Sequence, residues 1–119
     1  MNKKILIIED DTNAMMLYKE ELEKEGYQIL TASSGIEGLS IIEEEKLDLV
    51  ILDLRMPEMD GLEVLGKVLV KRKNLPVVIF TSYPEYKNNF LSWAADAYII
   101  KSVDLSELKN KIKELIGNP

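Results

Sequence analysis

Short apolar runs recur along the chain at residues 5–8, 27–31, 49–52, 76–80 and 97–100. Each is long enough for a buried strand and too short for a typical helix. The run at 27–31 is the least uniform, as an edge strand can be. Between the runs, apolar residues fall at helical spacing. Over 14–25, Ala14, Met15, Tyr18 and Leu22 form one stripe, and Gly26 ends the segment. Ser34-Gly35-Ile36-Glu37 has the form of a capping box and opens a second helix that runs to about residue 45. Asp60-Gly61-Leu62-Glu63 repeats that spacing and opens a third, with Leu62, Leu65 and Leu69 inward. Its last turn carries Lys71-Arg72-Lys73, which suits the negative end of a helix dipole. A fourth helix is expected over 84–93, against the poor helix formers Asn88 and Asn89. Asp104-Leu105-Ser106-Glu107 opens the last, with Leu105, Leu108, Ile112 and Leu115 inward and Gly117-Asn118-Pro119 at its end.

This alternation predicts an α/β fold: a doubly wound, five-stranded parallel sheet of order 2-1-3-4-5 with helices on both faces and right-handed crossovers. The 119 residues suffice for one domain over 1–119, with no linker, repeat or low-complexity segment. A net charge of −6 argues against direct binding to nucleic acid or to acidic membranes. There is no cysteine and no histidine, which excludes thiolate and imidazole nucleophiles and metal ligands of either type. The apolar run after Lys3 and Lys4 is too short for a signal-peptide core, and no stretch is long enough to span a bilayer. A cytoplasmic location is expected.

Parallel strands present their carboxyl ends along one edge of a sheet, so residues distant in sequence converge there. The strands end on Glu9-Asp10, Asp53, Thr81 and Lys101. Singly, each has an ordinary structural role: turn and cap acids, a strand-end hydroxyl, a solvated lysine. Together they form a chemical set. Clustered carboxylates repel unless they take up protons or bind a cation. All-oxygen ligation suits Mg²⁺, which leaves room for a phosphate. Thr81 and Lys101 suit phosphoryl oxygens, and Asp53 suits a carboxylate nucleophile that becomes an aspartyl phosphate.

These residues give the chain its likeness to a known family. Ile7-Ile8-Glu9-Asp10-Asp11, Leu52-Asp53-Leu54-Arg55-Met56-Pro57-Glu58-Met59-Asp60-Gly61, Thr81-Ser82 and Tyr98-Ile99-Ile100-Lys101 resemble the receiver domain of two-component response regulators, the CheY-like fold. The likeness covers residues 3–117, and its second motif is highly specific. It implies that Asp53 accepts a phosphoryl group from a phosphohistidine of a sensor kinase or phosphotransfer protein. It implies a Mg²⁺ ion on Asp10, Asp53 and the backbone carbonyl of Arg55, with Glu9 acting directly or through water. Thr81 and Lys101 would hold phosphoryl oxygens. Tyr98 matches the switch aromatic, which turns inward as Thr81 moves and reshapes the face of the fourth helix, fifth strand and last helix. That face would serve an output domain, an effector or a second copy of the chain. Arg55 and Tyr83 match positions that tune phosphoryl lifetime. A receiver is a phosphoacceptor switch that catalyses only its own phosphotransfer and slow autodephosphorylation.

Three departures from the family pattern matter. Ser102 stands where a proline usually follows the lysine, so the preceding peptide is expected to be trans. Ala94 replaces a glycine at the end of the fourth helix, and Glu9 replaces an aspartate. Rival readings fare less well. A haloacid-dehalogenase-like phosphohydrolase needs a second acid two residues after the nucleophile, where this chain has Arg55. A flavin mononucleotide carrier needs a Ser/Thr/Gly-rich phosphate loop, where this chain has Glu9-Asp10-Asp11. A phosphorylation-independent interaction domain is favoured only by Ser102. Tyr86, Phe90 and Trp93 either pack on the sheet or present a partner surface.

Overall fold

A computed structural model describes residues 2–56, 59–89 and 92–119. Its elements run β1 (Lys4–Ile8), α1 (Thr12–Lys24), β2 (Gln28–Ala32), α2 (Gly35–Glu44), β3 (Leu49–Leu52), α3 (Gly61–Lys71), β4 (Val77–Thr81), β5 (Ala97–Ile100) and α4 (Ser106–Ile116). The strands form one parallel sheet of order β2-β1-β3-β4-β5. This is the order expected from the alternation.

Successive side chains of a strand point to opposite faces, and here that rule divides the core in two. Leu6, Ile8, Val50, Leu52, Val77 and Ile79 pack with Ile42 of α2 and with Leu62, Leu65 and Val68 of α3. Ile5, Ile7, Ile51, Val78, Phe80 and Ile99 pack with Tyr18 and Leu22 of α1 and with Leu108 and Ile112 of α4. Burying each such aliphatic side chain is worth about 1.5–3 kcal/mol relative to leaving it exposed. The central strands β1, β3 and β4 are therefore apolar at nearly every position. The edge strand β2 alternates more, with Gln28 exposed.

Local signals fix the helix starts. The Asp11 carboxylate accepts from Asn13 N and Ala14 N at 3.0 and 3.1 Å and caps α1. Ser34 Oγ accepts from Glu37 N at 3.1 Å, while Glu37 reaches back to Ser33 N. Asp60 takes Leu62 N at 2.8 Å. In the last box, Asp104 takes Ser106 N at 2.9 Å, and the helix begins there, with Leu105 at the N-cap. Past α1, Gly26 has φ +107°, the left-handed conformation that favours glycine.

One expectation fails. The helix expected over 84–93 is instead two short 3-10 turns, Pro84–Asn88 and Ser92–Ala94. Pro84 starts the first turn, and Asn89 leaves it in an extended conformation at ψ 128°. The turns close on themselves: Ser92 N donates to Asn89 O at 2.9 Å and Trp93 Nε1 to Lys87 O at 3.0 Å. The asparagines favour such local closures over a continuous helical ladder. Ala94 ends the second turn. The face expected from the fourth helix, fifth strand and last helix is thus built from these turns, β5 and α4. Trp93 is exposed there and Tyr86 packs partly against the core; Phe90, like Pro57 and Glu58 of the Asp53 motif, lies outside the described residues.

Candidate functional site at the carboxyl edge of the sheet

Backbone pairing alone brings the strand ends together. Asp53 N donates to Ile8 O at 3.1 Å, and Lys101 N donates to Thr81 O at 2.8 Å. Glu9 and Asp53 are nearly fully buried, at 2% and 6% exposure, whereas Asp10 is exposed. Carboxylate oxygens of Glu9, Asp10 and Asp53 lie within 4.8 Å of one another.

Burial of two like-charged groups is costly unless something compensates. Lys101 compensates in part. Its ammonium donates to Glu9 Oε1 and, at 3.0 Å, to Asp53 Oδ2. Glu9 Oε2 also accepts from Asp11 N at 3.1 Å. Burial nonetheless pushes the Glu9 carboxyl above its ordinary value, against the lowering effects of Lys101 and the Asp11 amide. Burial pulls the Lys101 ammonium down, but its bonds to Glu9 and Asp53 together outweigh this and hold it above its ordinary value. One acceptor is left over. Asp53 Oδ1 is buried and has no hydrogen-bond partner among the described residues. A buried carboxylate oxygen without a partner, beside two further carboxylates, fits a hard divalent cation with oxygen ligands.

The cleft outside this cluster, about 530 Å³, is lined by Asp10, Leu54, Arg55, Met56, Asp60 and Tyr86. Behind Leu54, Gly61 tolerates no side chain: a Cβ there would come 2.4 Å from Leu54 Cα and 2.5 Å from Asp53 O. Arg55 leans across the mouth. Its guanidinium carbon sits 4.2 Å from the centroid of the Tyr83 ring, its Nε donates to Tyr86 Oη at 3.3 Å, and Glu85 is 3.9 Å away.

Of the residues singled out from sequence, Glu9, Asp10, Asp53 and Lys101 converge. Thr81 is fully buried at the next strand end, but its hydroxyl is engaged locally, accepting from Tyr83 N at 3.4 Å. Tyr98 is half-buried, and its hydroxyl donates to Tyr83 O. The peptide between Lys101 and Ser102 is trans, as expected from the serine. The partners of Arg55 at Glu85 and Tyr86 were not legible in advance; only the tight turn after Pro84 brings them to it.

Residues 5–113 match the family model of the response regulator receiver domain. The chain belongs to the receiver family. Sporulation initiation phosphotransferase F of Bacillus subtilis is 36% identical to this receiver over 118 residues, covering 98% of the chain and 95% of that protein. The alkaline phosphatase synthesis transcriptional regulatory protein PhoP of the same organism is 34% identical over 118 residues, and the receiver spans only 49% of its length. Among solved structures, the Thermotoga maritima response regulator TrrA in complex with Mg²⁺-BeF aligns with TM-score 0.93 and 45% identity, over 95% of this chain and 98% of that one. TrrA has also been solved in complex with the histidine kinase ThkA, with TM-score 0.91 over 96% of this chain. The receiver is accordingly a phosphoacceptor signalling switch of a two-component system. Among the described residues, no helix is long and apolar enough to cross a membrane.

Proposed function

We propose that residues 1–119 form a single receiver domain in which Asp53 is the phosphoacceptor, acting in the cytoplasm on a phosphohistidine of a sensor kinase or phosphotransfer protein. The observation that carries this reading is the pairing of Asp53 Oδ2 with Lys101 while Oδ1 is buried and has no partner among the described residues. In the transfer, an Asp53 oxygen attacks phosphorus, a P–O bond forms, the P–N bond breaks, and its electron pair returns to the imidazole nitrogen. Glu9, Asp10, Asp53 and the carbonyl of Arg55 hold Mg²⁺, Glu9 directly or through water. When bound, Mg²⁺ offsets the charge that accumulates between the carboxylates and the phosphoryl oxygens. Lys101 and Thr81 receive phosphoryl oxygens, so the Thr81 hydroxyl gives up its contact with Tyr83 N. Tyr98, held to the Tyr83 carbonyl, carries that movement to the surface of β5, α4 and the two 3-10 turns. An output domain, an effector or a second copy of the chain reads this surface. Water later attacks phosphorus, releasing inorganic phosphate and restoring the carboxylate, and Arg55 and Tyr83 at the cleft mouth set the rate.

The test is incubation with Mg²⁺ and acetyl phosphate followed by intact mass. One phosphoryl adduct is expected, and Asp53→Asn abolishes it. An adduct that persists in Asp53→Asn contradicts the assignment.

A further inference from the structure

Tyr18 sits in the apolar stripe of α1 and is 7% exposed. Its ring makes an edge-to-face contact with Phe80, the residue before Thr81, at a centroid separation of 5.2 Å and an angle of 71°. The Lys101 ammonium lies over the same ring, 5.9 Å from its centroid. A cation within about 6 Å of an aromatic centroid is drawn to the ring's quadrupole, more strongly where water is excluded. The Lys101 side chain is only 17% exposed.

The other partners of that ammonium are Glu9 and Asp53. Both are carboxylates that a divalent cation would claim, and Asp53 is the group that would be esterified. Among the described partners of Lys101, the Tyr18 ring alone can be taken by neither event. The backbone hydrogen bond from Lys101 N to Thr81 O fixes the strand end, not the position of the ammonium.

We propose that Tyr18 is a positioning residue, whose ring keeps the Lys101 ammonium at the phosphoacceptor while its carboxylate partners give way to phosphoryl oxygens. The proposal rests on Asp53 being the phosphoacceptor, and the experiment separates the two. In metal-free protein, the ε-methylene proton signals of Lys101, identified by their loss in Lys101→Arg, are expected upfield of the other lysines because of the Tyr18 ring current. Tyr18→Phe keeps that displacement and Tyr18→Leu removes it. A Lys101 signal that Tyr18→Leu leaves in place overturns the proposal, whatever phosphorylation shows. With Mg²⁺ and acetyl phosphate, Tyr18→Leu slows adduct formation by roughly threefold to twentyfold, and Tyr18→Phe restores the rate. In a Lys101→Ala background, followed over longer incubation, Tyr18→Leu adds no further loss. An equal loss in both backgrounds, or a Tyr18→Phe as slow as Tyr18→Leu, also overturns it. A parent chain that takes no adduct counts against the Asp53 reading, while the metal-free signal still decides Tyr18.

Discussion

Lys101 approaches Asp53 from one side only. Its ammonium is 3.0 Å from Oδ2, and Oδ1 is buried with no partner among the described residues. One carboxylate oxygen is thus paired within the chain, and the other is the one the proposed phosphoacceptor role would use.

Removing the lysine exposes the cost of this arrangement. Lys101→Ala leaves Glu9 and Asp53 buried without their cation. Breaking a buried pair in this way costs about 3–5 kcal/mol, here toward the lower end because Glu9 can take up a proton. Urea unfolding should show the loss in metal-free protein and partial recovery on adding Mg²⁺. No loss in metal-free protein would mean that the cluster is solvated well enough without Lys101.

Glu9 makes stability depend on pH. Its folded-state value is raised above the ordinary 4.5, chiefly by burial. Between those two values the folded chain holds a proton that the unfolded chain has released, so stability falls as pH rises through that window. Glu9→Gln removes this decline, as unfolding curves taken from pH 4 upward would show. In the proposed site the Glu9 carboxylate serves Mg²⁺, directly or through water, so apparent affinity is expected to weaken as pH falls through the same window. Lys101 acts at the other end. Its raised value stabilises the fold below its ordinary 10.5, and that contribution is lost only as pH rises beyond it.

Two glycines of α3 respond in opposite directions to alanine. At Gly61 the added carbon meets the backbone of Asp53 and Leu54, and the strain costs about 1–3 kcal/mol or more. It also shifts the cleft, so phosphorylation slows. At Gly66 an added carbon meets nothing within 4 Å among the described residues beyond its own helix backbone and chain neighbours, and alanine stabilises the helix by about 1 kcal/mol. Thermal unfolding of the two variants checks both signs.

Arg55 covers the cleft mouth through its contacts with Tyr83 and Tyr86. Arg55→Ala opens a path for water and shortens the phosphoryl lifetime by roughly twofold to fivefold, the scale of one exposed cation–π contact. Magnesium affinity is expected to stay near that of the parent, since the proposed ligand at this position is the backbone carbonyl. Decay of the adduct after removal of acetyl phosphate measures the first, and a Mg²⁺ titration the second. Equal lifetimes would show that the arginine does not gate water.

Much of this was legible in the residues because the sheet is parallel and buried on both faces. Ile5 to Ile8 and Leu49 to Leu52 must be continuously apolar, and the polar residues that end such runs must share one edge. Glu9, Asp53 and Lys101 were therefore found from order alone. The segment after Pro84 was not, because a periodic apolar pattern cannot distinguish one helix from two 3-10 turns whose asparagine and tryptophan close local hydrogen bonds. Its spacing in the α1 stripe marks Tyr18 as core, and it is buried. Its place beside Lys101 depends on how α1 lies across β4 and β5, which no spacing within α1 reveals.

The most direct measurement locates the phosphoryl group. An aspartyl phosphate formed with Mg²⁺ and acetyl phosphate can be reduced by borohydride, which converts that aspartate to homoserine. Peptide fragmentation should then find homoserine at position 53 and nowhere else. Homoserine at Asp10 or Asp60 with Asp53 unmodified would contradict the account.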